Sequence, residues 1–400
     1  MKMNAGIKTA LLCVLVVVFA VKGSAALELT GHAEVEGKYF LNEPMYDEQV
    51  KDSGSLSVRT ELYHGWKNGL SFTLVPFYRY DNADEERTHF DIREAIFLWP
   101  RESYELRAGI GKVFWGVTEA IHLVDIVNQT DWVESMDGEE KLGQPMVNLT
   151  LLTGYGTWDF FVLPYFRERT FQGSKGRLRF DPPIDTGAAY ESGEKERRVD
   201  YAVRYSNTAG NWDIGVSHFN GTTREPAYLL QFDKDSNPVI VPYYEIINQT
   251  GIDLQCVTGA WLWKFEGIYR SGQDDGDFFA MDAGLEYTFS IGYLRGADIG
   301  LIAEYLYDSR KSELNTFYND DYMLGLRIAL NDVAGSEALF GLVQDFDNGS
   351  GIFLMEASRR LGDNWKGELE SFIFVNAEKD ALLNFLRKDD FFRLAITYYF

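Results

Sequence analysis

The stretch Phe391-Phe392-Arg393-Leu394-Ala395-Ile396-Thr397-Tyr398-Tyr399-Phe400 alternates between two kinds of side chain. Every second position is apolar or aromatic, and the positions between are mostly polar or small; the apolar set is Phe392, Leu394, Ile396, Tyr398 and Phe400. A period of two places the two sets on opposite faces of a β-strand. The stretch therefore predicts a strand with one apolar face, as in the last strand of a soluble sandwich or a strand of a membrane barrel.

Residues 1–26 have the composition of a secretory signal peptide. Lys2 and Lys8 precede an apolar run over residues 10–21, and the small residues Gly23-Ser24-Ala25-Ala26 follow it. A charged start, a short apolar core and a small-residue site are typical of cleaved export signals. The apolar run is too short for a stable membrane helix. We therefore predict that residues 1–26 are removed on export and that residues 27–400 form one domain.

The overall charge argues against a nucleic-acid partner. The chain has 61 Asp and Glu residues against 38 Lys and Arg, for a formal net charge of −23. It contains no basic stripe of the kind that contacts phosphates. Cys256 is the only cysteine of the predicted mature chain, so an internal disulfide is excluded and a thiolate metal site is disfavoured.

Alternating segments recur along the chain, separated by interruptions of two lengths. The short ones consist of turn-forming residues such as Lys67-Asn68-Gly69, which suit hairpins. The long ones are acidic and irregular and lie at residues 41–53, 81–87, 115–145, 167–197, 221–247, 309–319 and 376–388. Transmembrane barrels alternate tight turns with long loops in this way. The pattern predicts an all-β, antiparallel, up-and-down transmembrane β-barrel of about 18 strands, with about 16 as the alternative.

Tryptophan residues flank the short interruptions, where we expect the ends of strands. They are Trp66, Trp99, Trp158, Trp212, Trp261 and Trp365. Aromatic rings favour the boundary between water and lipid. The set therefore predicts an aromatic girdle at the short-turn end of the barrel.

We assign each side chain to the lipid-facing side or the interior of the barrel because a charged side chain against lipid is unfavourable in free energy. Leu56, Val58 and Leu62, for example, are predicted to face lipid. The charged residues predicted to line the interior are Arg59, Glu61, Arg79, Arg107, Arg204, Lys264, Glu266, Arg270, Arg327 and Arg393. These residues either pair across strands or form a selectivity ladder for a solute. Glu94 does not fit, because it lies on the same face as Phe90, Ile92, Ile96 and Leu98.

Residues 115–145 form the third long interruption and do not alternate. Val117, Ile121, Val124 and Val127 recur at helical spacing, which predicts a partly helical segment whose apolar face packs on the inner wall. We expect this loop to fold inward and narrow the pore. The acidic and histidine side chains predicted to line that constriction are Glu119, His122, Asp125, Asp131 and Glu134.

These features resemble those of Gram-negative outer-membrane barrels. The closing strand is similar to the C-terminal strand of such barrels, and the resemblance implies that Phe400 belongs to a signal read by the barrel-assembly machinery. Residues 115–145 are similar in position and length to the third loop of general porins. Gly111-Lys112-Val113, Trp115-Gly116 and Asp125-Ile126-Val127-Asn128-Gln129-Thr130-Asp131 resemble a pattern in barrels of the alginate-export type and related uncharacterised families. That resemblance implies a channel architecture and no particular solute.

The sequence favours a porin-like channel for small polar or charged solutes in the bacterial outer membrane. The solute and the oligomeric state stay open. The alternatives are a closed structural or adhesive barrel that binds a partner through residues 167–197 and 221–247, or a barrel-embedded hydrolase. No Gly-x-Ser-x-Gly motif occurs, which disfavours the hydrolase. One histidine among scattered acids does not make a zinc site, so we expect no metal and no cofactor.

Overall fold

The computed structural model describes residues 27–185, 187–292, 296–310, 316 and 318–400. The predicted signal peptide lies outside these residues. Within them, no helix is long and apolar enough to cross a membrane. Short 3₁₀ turns in the described residues include Lys195–Arg197, Ala377–Lys379 and Leu383–Leu386.

The described residues form a closed antiparallel barrel of 18 strands. Each barrel strand pairs with the next one along the chain, and the last strand pairs with the first. The first nine are β1 Leu27–Phe40, β2 Asp52–Gly65, β3 Ser71–Asp81, β4 His89–Pro100, β5 Tyr104–Gly111, β6 Gln144–Thr153, β7 Gly156–Leu163, β9 Asp200–Ala209 and β10 Trp212–Thr222. The other nine are β13 Ile246–Thr258, β14 Trp261–Ser271, β15 Phe278–Ile291, β16 Ala297–Asp308, β17 Asp320–Ala329, β18 Glu337–Asp345, β19 Gly351–Arg360, β20 Trp365–Val375 and β21 Phe391–Tyr399.

The remaining three strands belong to the loops. β8 (Ala189–Tyr190), β11 (Ala227–Phe232) and β12 (Pro238–Tyr244) form a separate small sheet. β11 and β12 make an antiparallel hairpin, and β8 pairs with β12 in parallel. Two of the predicted long loops, 167–197 and 221–247, therefore meet in one structured element.

The alternation of short turns and long loops is confirmed, and with it the prediction of 18 strands rather than 16. One end of the barrel carries tight connections such as 101–103 and 154–155, whereas the other carries 112–143 and 164–199. We call residues 112–143 loop 3. The strands near 291–297 and 331–350 separate into β15, β16, β18 and β19, so the full count is even, as a single-chain barrel requires.

The outer face of the barrel is apolar and the inner face is charged. Leu56 and Leu394 stand exposed on the outside, whereas Ser57 and Arg79 are buried inside. The six tryptophans predicted to form a girdle all lie at the short-turn end with exposed rings. A soluble protein would bury such an apolar band, because exposed apolar surface in water is costly. An apolar exterior around a polar interior is the arrangement that a bilayer stabilises.

The terminal strand β21 follows the predicted alternation. Its register with β1 runs from His32 opposite Tyr399 to Phe40 opposite Phe391, and Gly31 and Phe400 exchange both backbone hydrogen bonds at 3.0 Å. Phe392, Leu394, Tyr398 and Phe400 are exposed on the outer face, whereas Arg393 and Thr397 turn inward against Glu34 and Glu36. The strand thus closes the barrel.

A β-bulge resolves the position of Glu94. The pairing of β3 with β4 shifts between Val75 and Pro76, so that Val75 pairs with Glu94 and Pro76 with Ile92, leaving Arg93 as the extra residue. Pro76 lacks the N–H that a regular ladder needs, which is why proline in a sheet favours such a shift. Arg93 and Glu94 consequently both turn inward. The facing of Glu94, which unbroken alternation does not resolve, thus follows from the bulge.

Candidate constriction and lumen

Loop 3 enters the barrel and packs against one side of its inner wall. Trp115, Val124, Ile126 and Val127 are buried in a cluster with inward residues of β6, β7, β9, β10, β13, β14 and β15, among them Phe161, Phe219, Ile247 and Ile268. The inner wall on this side therefore presents an apolar cluster to loop 3. Of the four apolar residues predicted to pack on the inner wall, Val124 and Val127 lie in this cluster, and Ile121 packs on Leu306, Met323 and Val343.

The helical course predicted for loop 3 is wrong, since its described residues form turns, bends and isolated bridges only. The backbone N–H groups that a helix would pair internally are bound by the wall instead. Glu266 of β14 accepts bonds from the N–H of Val117 (2.6 Å), Thr118 (3.1 Å) and Val124 (3.2 Å), and from the Thr118 hydroxyl (2.8 Å). Glu304 of β16 accepts from the N–H of Glu119 and Ala120 at 2.8–3.0 Å.

Glu266 and Glu304 are thus the wall clamp of loop 3, and we use this name for the pair. Glu266 is fully buried and Glu304 nearly so. Hydrogen bonds to a charged acceptor contribute roughly 1.5–3 kcal/mol each. The clamp therefore holds the segment 117–124 against the wall far more firmly than apolar packing alone.

Gly116 permits the close approach of loop 3 to the clamp. Its φ of +140° is one that side-chain-bearing residues rarely adopt, and a Cβ there would lie 2.9 Å from both Glu266 Oε1 and His122 Nδ1. The Trp115-Gly116 pair noted in the sequence therefore has a structural reason. Trp115 fills the apolar cluster, and Gly116 turns the chain over Glu266.

His122 lies between Glu266 of the clamp and Glu139, which is near the end of loop 3. Its Nε2 lies 2.9 Å from Glu139 Oε1, and its Nδ1 faces Glu266 Oε1 at 3.8 Å. Burial by itself lowers the pKa of His122, but the hydrogen bond and charge of Glu139 together with the charge of Glu266 outweigh burial and raise it to about 10. His122 is therefore a cation at neutral pH, and the hydrogen bond with it lowers the pKa of Glu139.

The predicted constriction residues divide into two groups. Glu119, His122 and Glu134 line the main cavity. Glu119 pairs with Arg327 at 2.7 Å and with Lys264 at 3.3 Å, and Glu134 pairs with Arg79 at 2.7 Å. Their role in a pore constriction stays a prediction.

Asp131 and Asp125 have different surroundings. Asp131 is fully buried, where it accepts from Arg93 at 2.5 Å and from the Thr170 hydroxyl at 2.6 Å. It is not among the residues that line the two cavities, and its place in the constriction stays a prediction. Asp125 lines only the smaller outer cavity and pairs with Lys141 at 3.2 Å; burial raises its pKa, against the opposing charge of Lys141.

Arg93 and Asp131 form a buried ion pair that fastens loop 3 to β4. Replacing Arg93 with Met leaves the Asp131 carboxylate without its cation, and we expect a loss of about 3–5 kcal/mol in the free energy of unfolding. Urea titration followed by the shift in heat-modifiable gel mobility measures the loss. Adding Asp131→Asn to the Arg93→Met variant should restore part of the stability. Equal midpoints for the single variant and the natural chain would contradict this role.

The predicted lumen residues are distributed around loop 3. Arg59, Arg79, Arg327 and Arg393 line the main cavity, and Arg270 lines the outer one. Arg204, Lys264 and Glu266 lie beneath loop 3: Arg204 stacks over Trp115 with 5.2 Å to the ring centroid. Glu61 and Arg107 occupy inward register positions on β2 and β5.

The sequence did not predict the ion-pair network that joins β1, β3, β21 and the loop between β3 and β4. Glu36 contacts Arg87 at 2.9 Å and Arg393 at 2.7 Å, and Glu34 contacts Arg79 at 3.4 Å. The alternation of His32, Glu34, Glu36 and Lys38 in β1 was the available signal. Most of the basic side chains in this network are paired with acids. Pairing across strands is the first of the two alternatives given for the lumen charges, and a selectivity ladder is the second.

Two cavities remain beside loop 3. The main cavity, about 750 Å³, lies between loop 3 and the inner faces of β17–β21 and β1–β4. The outer cavity, about 210 Å³, lies among loop 3, Arg169, Phe180, Glu225 and Tyr228. His122, Met136 and Tyr318 line both cavities, so residues of loop 3 lie between the two cavities.

The charge of the main cavity is predominantly negative. Among the described residues that line it are 11 Asp and Glu side chains and 6 Lys and Arg side chains. The acids include Asp137, Glu356 and Glu370, and the bases include Arg59 and Lys366. An excess of carboxylates in a confined space attracts cations and repels anions.

Comparison with known proteins gives only a coarse similarity. No family model matches the chain, and no curated protein matches it. Two engineered variants of the Rhodopseudomonas blastica porin align over 94% of this chain and 100% of theirs, with 10% and 11% identity and TM-scores of 0.48 and 0.47. A structure titled for the asymmetric conductivity of engineered proteins aligns over the same shares with 10% identity and a TM-score of 0.48. The resemblance to alginate-export barrels stays a prediction.

Proposed function

We propose that the chain is a porin-like channel of the Gram-negative outer membrane that passes small polar or charged solutes and prefers cations. The observation that carries this proposal is the main cavity, in which 11 acidic and 6 basic side chains share about 750 Å³. A barrel of this strand number is wide enough for an aqueous lumen. Loop 3 narrows that lumen from one side, so the space left open is the acidic side.

The apolar outer face and the tryptophan girdle support the membrane location. The outward row of β21, with Phe392, Leu394, Ile396, Tyr398 and Phe400, supports a role as the strand that the barrel-assembly machinery reads. In this orientation the short turns face the periplasm and loop 3 is the third external loop. The proposal includes no cofactor and no enzymatic activity.

We expect the purified, refolded protein to give discrete current steps in a planar bilayer, with a reversal potential that shows cation preference in a KCl gradient. The excess of carboxylates in the main cavity is the physical reason. Current steps with anion preference would contradict the proposed selectivity. A heat-modifiable, folded barrel that carries no current at any voltage would contradict the channel and favour a structural barrel that binds partners through its loops.

A further inference from the structure

The main cavity has an apolar wall opposite loop 3. Its half-buried, inward-facing residues are Leu339 of β18 and Ile352 and Leu354 of β19. Phe372 of β20 pairs in register with Leu354 and extends the same surface. Ile352 and Leu354 pack in part on the buried residues Phe372 and Phe374, and their remaining surface lines the main cavity. Contact between this apolar surface and water is unfavourable, so an apolar group that covers the surface would be stabilised there.

An uncompensated carboxylate stands at the edge of this wall. Glu356 follows Leu354 on the inner face of β19 and pairs in register with Leu339 on one side and Glu370 on the other. Its side chain is exposed to the cavity. Within the described part of the chain, no Lys or Arg pairs with Glu356, and its strongest electrostatic neighbours are the acids Asp137, Glu370, Glu139 and Glu119.

The spacing between the charge and the apolar surface is set by the strand. Two residues along a β-strand span about 6.5–7 Å, so a cation at Glu356 has an apolar surface within reach of a short hydrocarbon or aromatic group. Glu370, beside Glu356, is held by Arg393 at 3.3 Å. Of these two neighbouring carboxylates, Glu356 is therefore the one that has no basic partner within the described part of the chain and is available to a solute.

The outer cavity has equal numbers of acidic and basic lining side chains among the described residues, and it also contains aromatic side chains. Phe180 and Tyr228 line it, with ring centroids 5.3 Å apart. Phe180 also packs on Phe385 at 5.5 Å, and the neighbouring Leu386 lines the main cavity. An apolar surface thus continues from the outer loops toward Ile352, while aromatic faces attract cations.

We propose that the preferred solute is an organic cation with an apolar body, bound with its charged group at Glu356 and its body on Leu339, Ile352 and Leu354. This inference rests on the proposed channel function. An inorganic cation would use the carboxylates but not the wall, and a neutral apolar solute would use the wall but not Glu356. The combination of the two fits an amphipathic ammonium or amidinium compound.

The test compares two probes in bilayers that contain the full-length mature protein in KCl. Hexyltrimethylammonium and tetramethylammonium carry the same charged group and differ in the apolar chain. We expect hexyltrimethylammonium to reduce the K⁺ current at a concentration at least about ten-fold lower, which corresponds to burial of about two methylene groups. Hexanesulfonate, an anion with the same chain, should not block.

Two variants separate the parts of the site. Leu354→Thr should reduce the difference between the two ammonium probes, and Glu356→Gln should weaken the block by both. If Leu354→Thr does not give a heat-modifiable barrel, Leu339→Thr tests the same wall. Glu61→Gln is the matched control, because it removes a lumen carboxylate away from the wall and should leave the hexyltrimethylammonium block unchanged.

The outcomes distinguish this inference from the channel itself. K⁺ current with equal sensitivity to the two ammonium probes would overturn the solute class and leave the channel standing. A preference for the hexyl probe that survives both Leu354→Thr and Glu356→Gln would overturn the placement of the site. Absence of K⁺ current from a folded barrel would contradict the channel function itself, and with it this inference.

Discussion

Replacing both Glu266 and Glu304 with Gln is expected to release residues 117–124 of loop 3 from the inner wall and to raise the single-channel conductance. The two carboxylates accept bonds from five backbone N–H groups, those of residues 117–120 and 124, and from one hydroxyl. Each charge-assisted bond contributes roughly 1.5–3 kcal/mol. Gln keeps the volume but removes the charge and turns an NH₂ group toward other donors. The summed loss is large enough to detach the segment.

The measurement is conductance in KCl with the barrel shown to be folded by gel mobility. Glu286→Gln is the matched control: Glu286 is an inward acid of β15 that pairs with Arg327 at 3.5 Å. Deleting residues 117–143 supplies the upper limit expected for a lumen without its constriction. A folded double variant whose conductance equals that of the natural chain, beside a deletion variant with larger current, would contradict the clamp.

The course of loop 3 shows where sequence reasoning fails. Val124 and Val127 are buried in one cluster beneath loop 3, and Ile121 packs on a second one, although the segment is not helical. A helix was the expected way to satisfy their backbone N–H groups. The structure satisfies several of them with Glu266 and Glu304, which lie about 140 to 185 residues further along the chain. No local pattern encodes partners at that separation.

The barrel itself was predictable because its signals are local. Turn residues, strand alternation and the position of each tryptophan are read within about ten residues, and each agrees with the strand pairing. Glu94 shows the limit of this reasoning, since one bulge beside Pro76 reverses the facing of all later residues in β4. Arg204, Lys264 and Glu266 were predicted to face inward, but their burial depends on a loop that covers only one side of the lumen.

Raising the pH through about 10 is expected to loosen loop 3 by deprotonating His122. The folded pKa of about 10 lies above the value of 6.5 for a free histidine. A group whose pKa is raised on folding contributes stability that is fully present below about pH 6.5 and is lost as the pH rises through about 10. The ion pairs with Glu139 and Glu266 therefore hold the loop across the neutral range.

Current noise and mean conductance recorded from pH 6 to pH 11 measure this effect, and His122→Gln separates it from lysines and tyrosines that ionise in the same range. In the natural chain the current should be steady to about pH 9 and become larger or noisier above it. In His122→Gln the ion pairs are absent at every pH, so the loop should already be loose at pH 7 and its current should change less between pH 9 and pH 11. Identical pH profiles for the two proteins would show that the charge on His122 does not hold the loop, and would leave the wall clamp of Glu266 and Glu304 as the device that does.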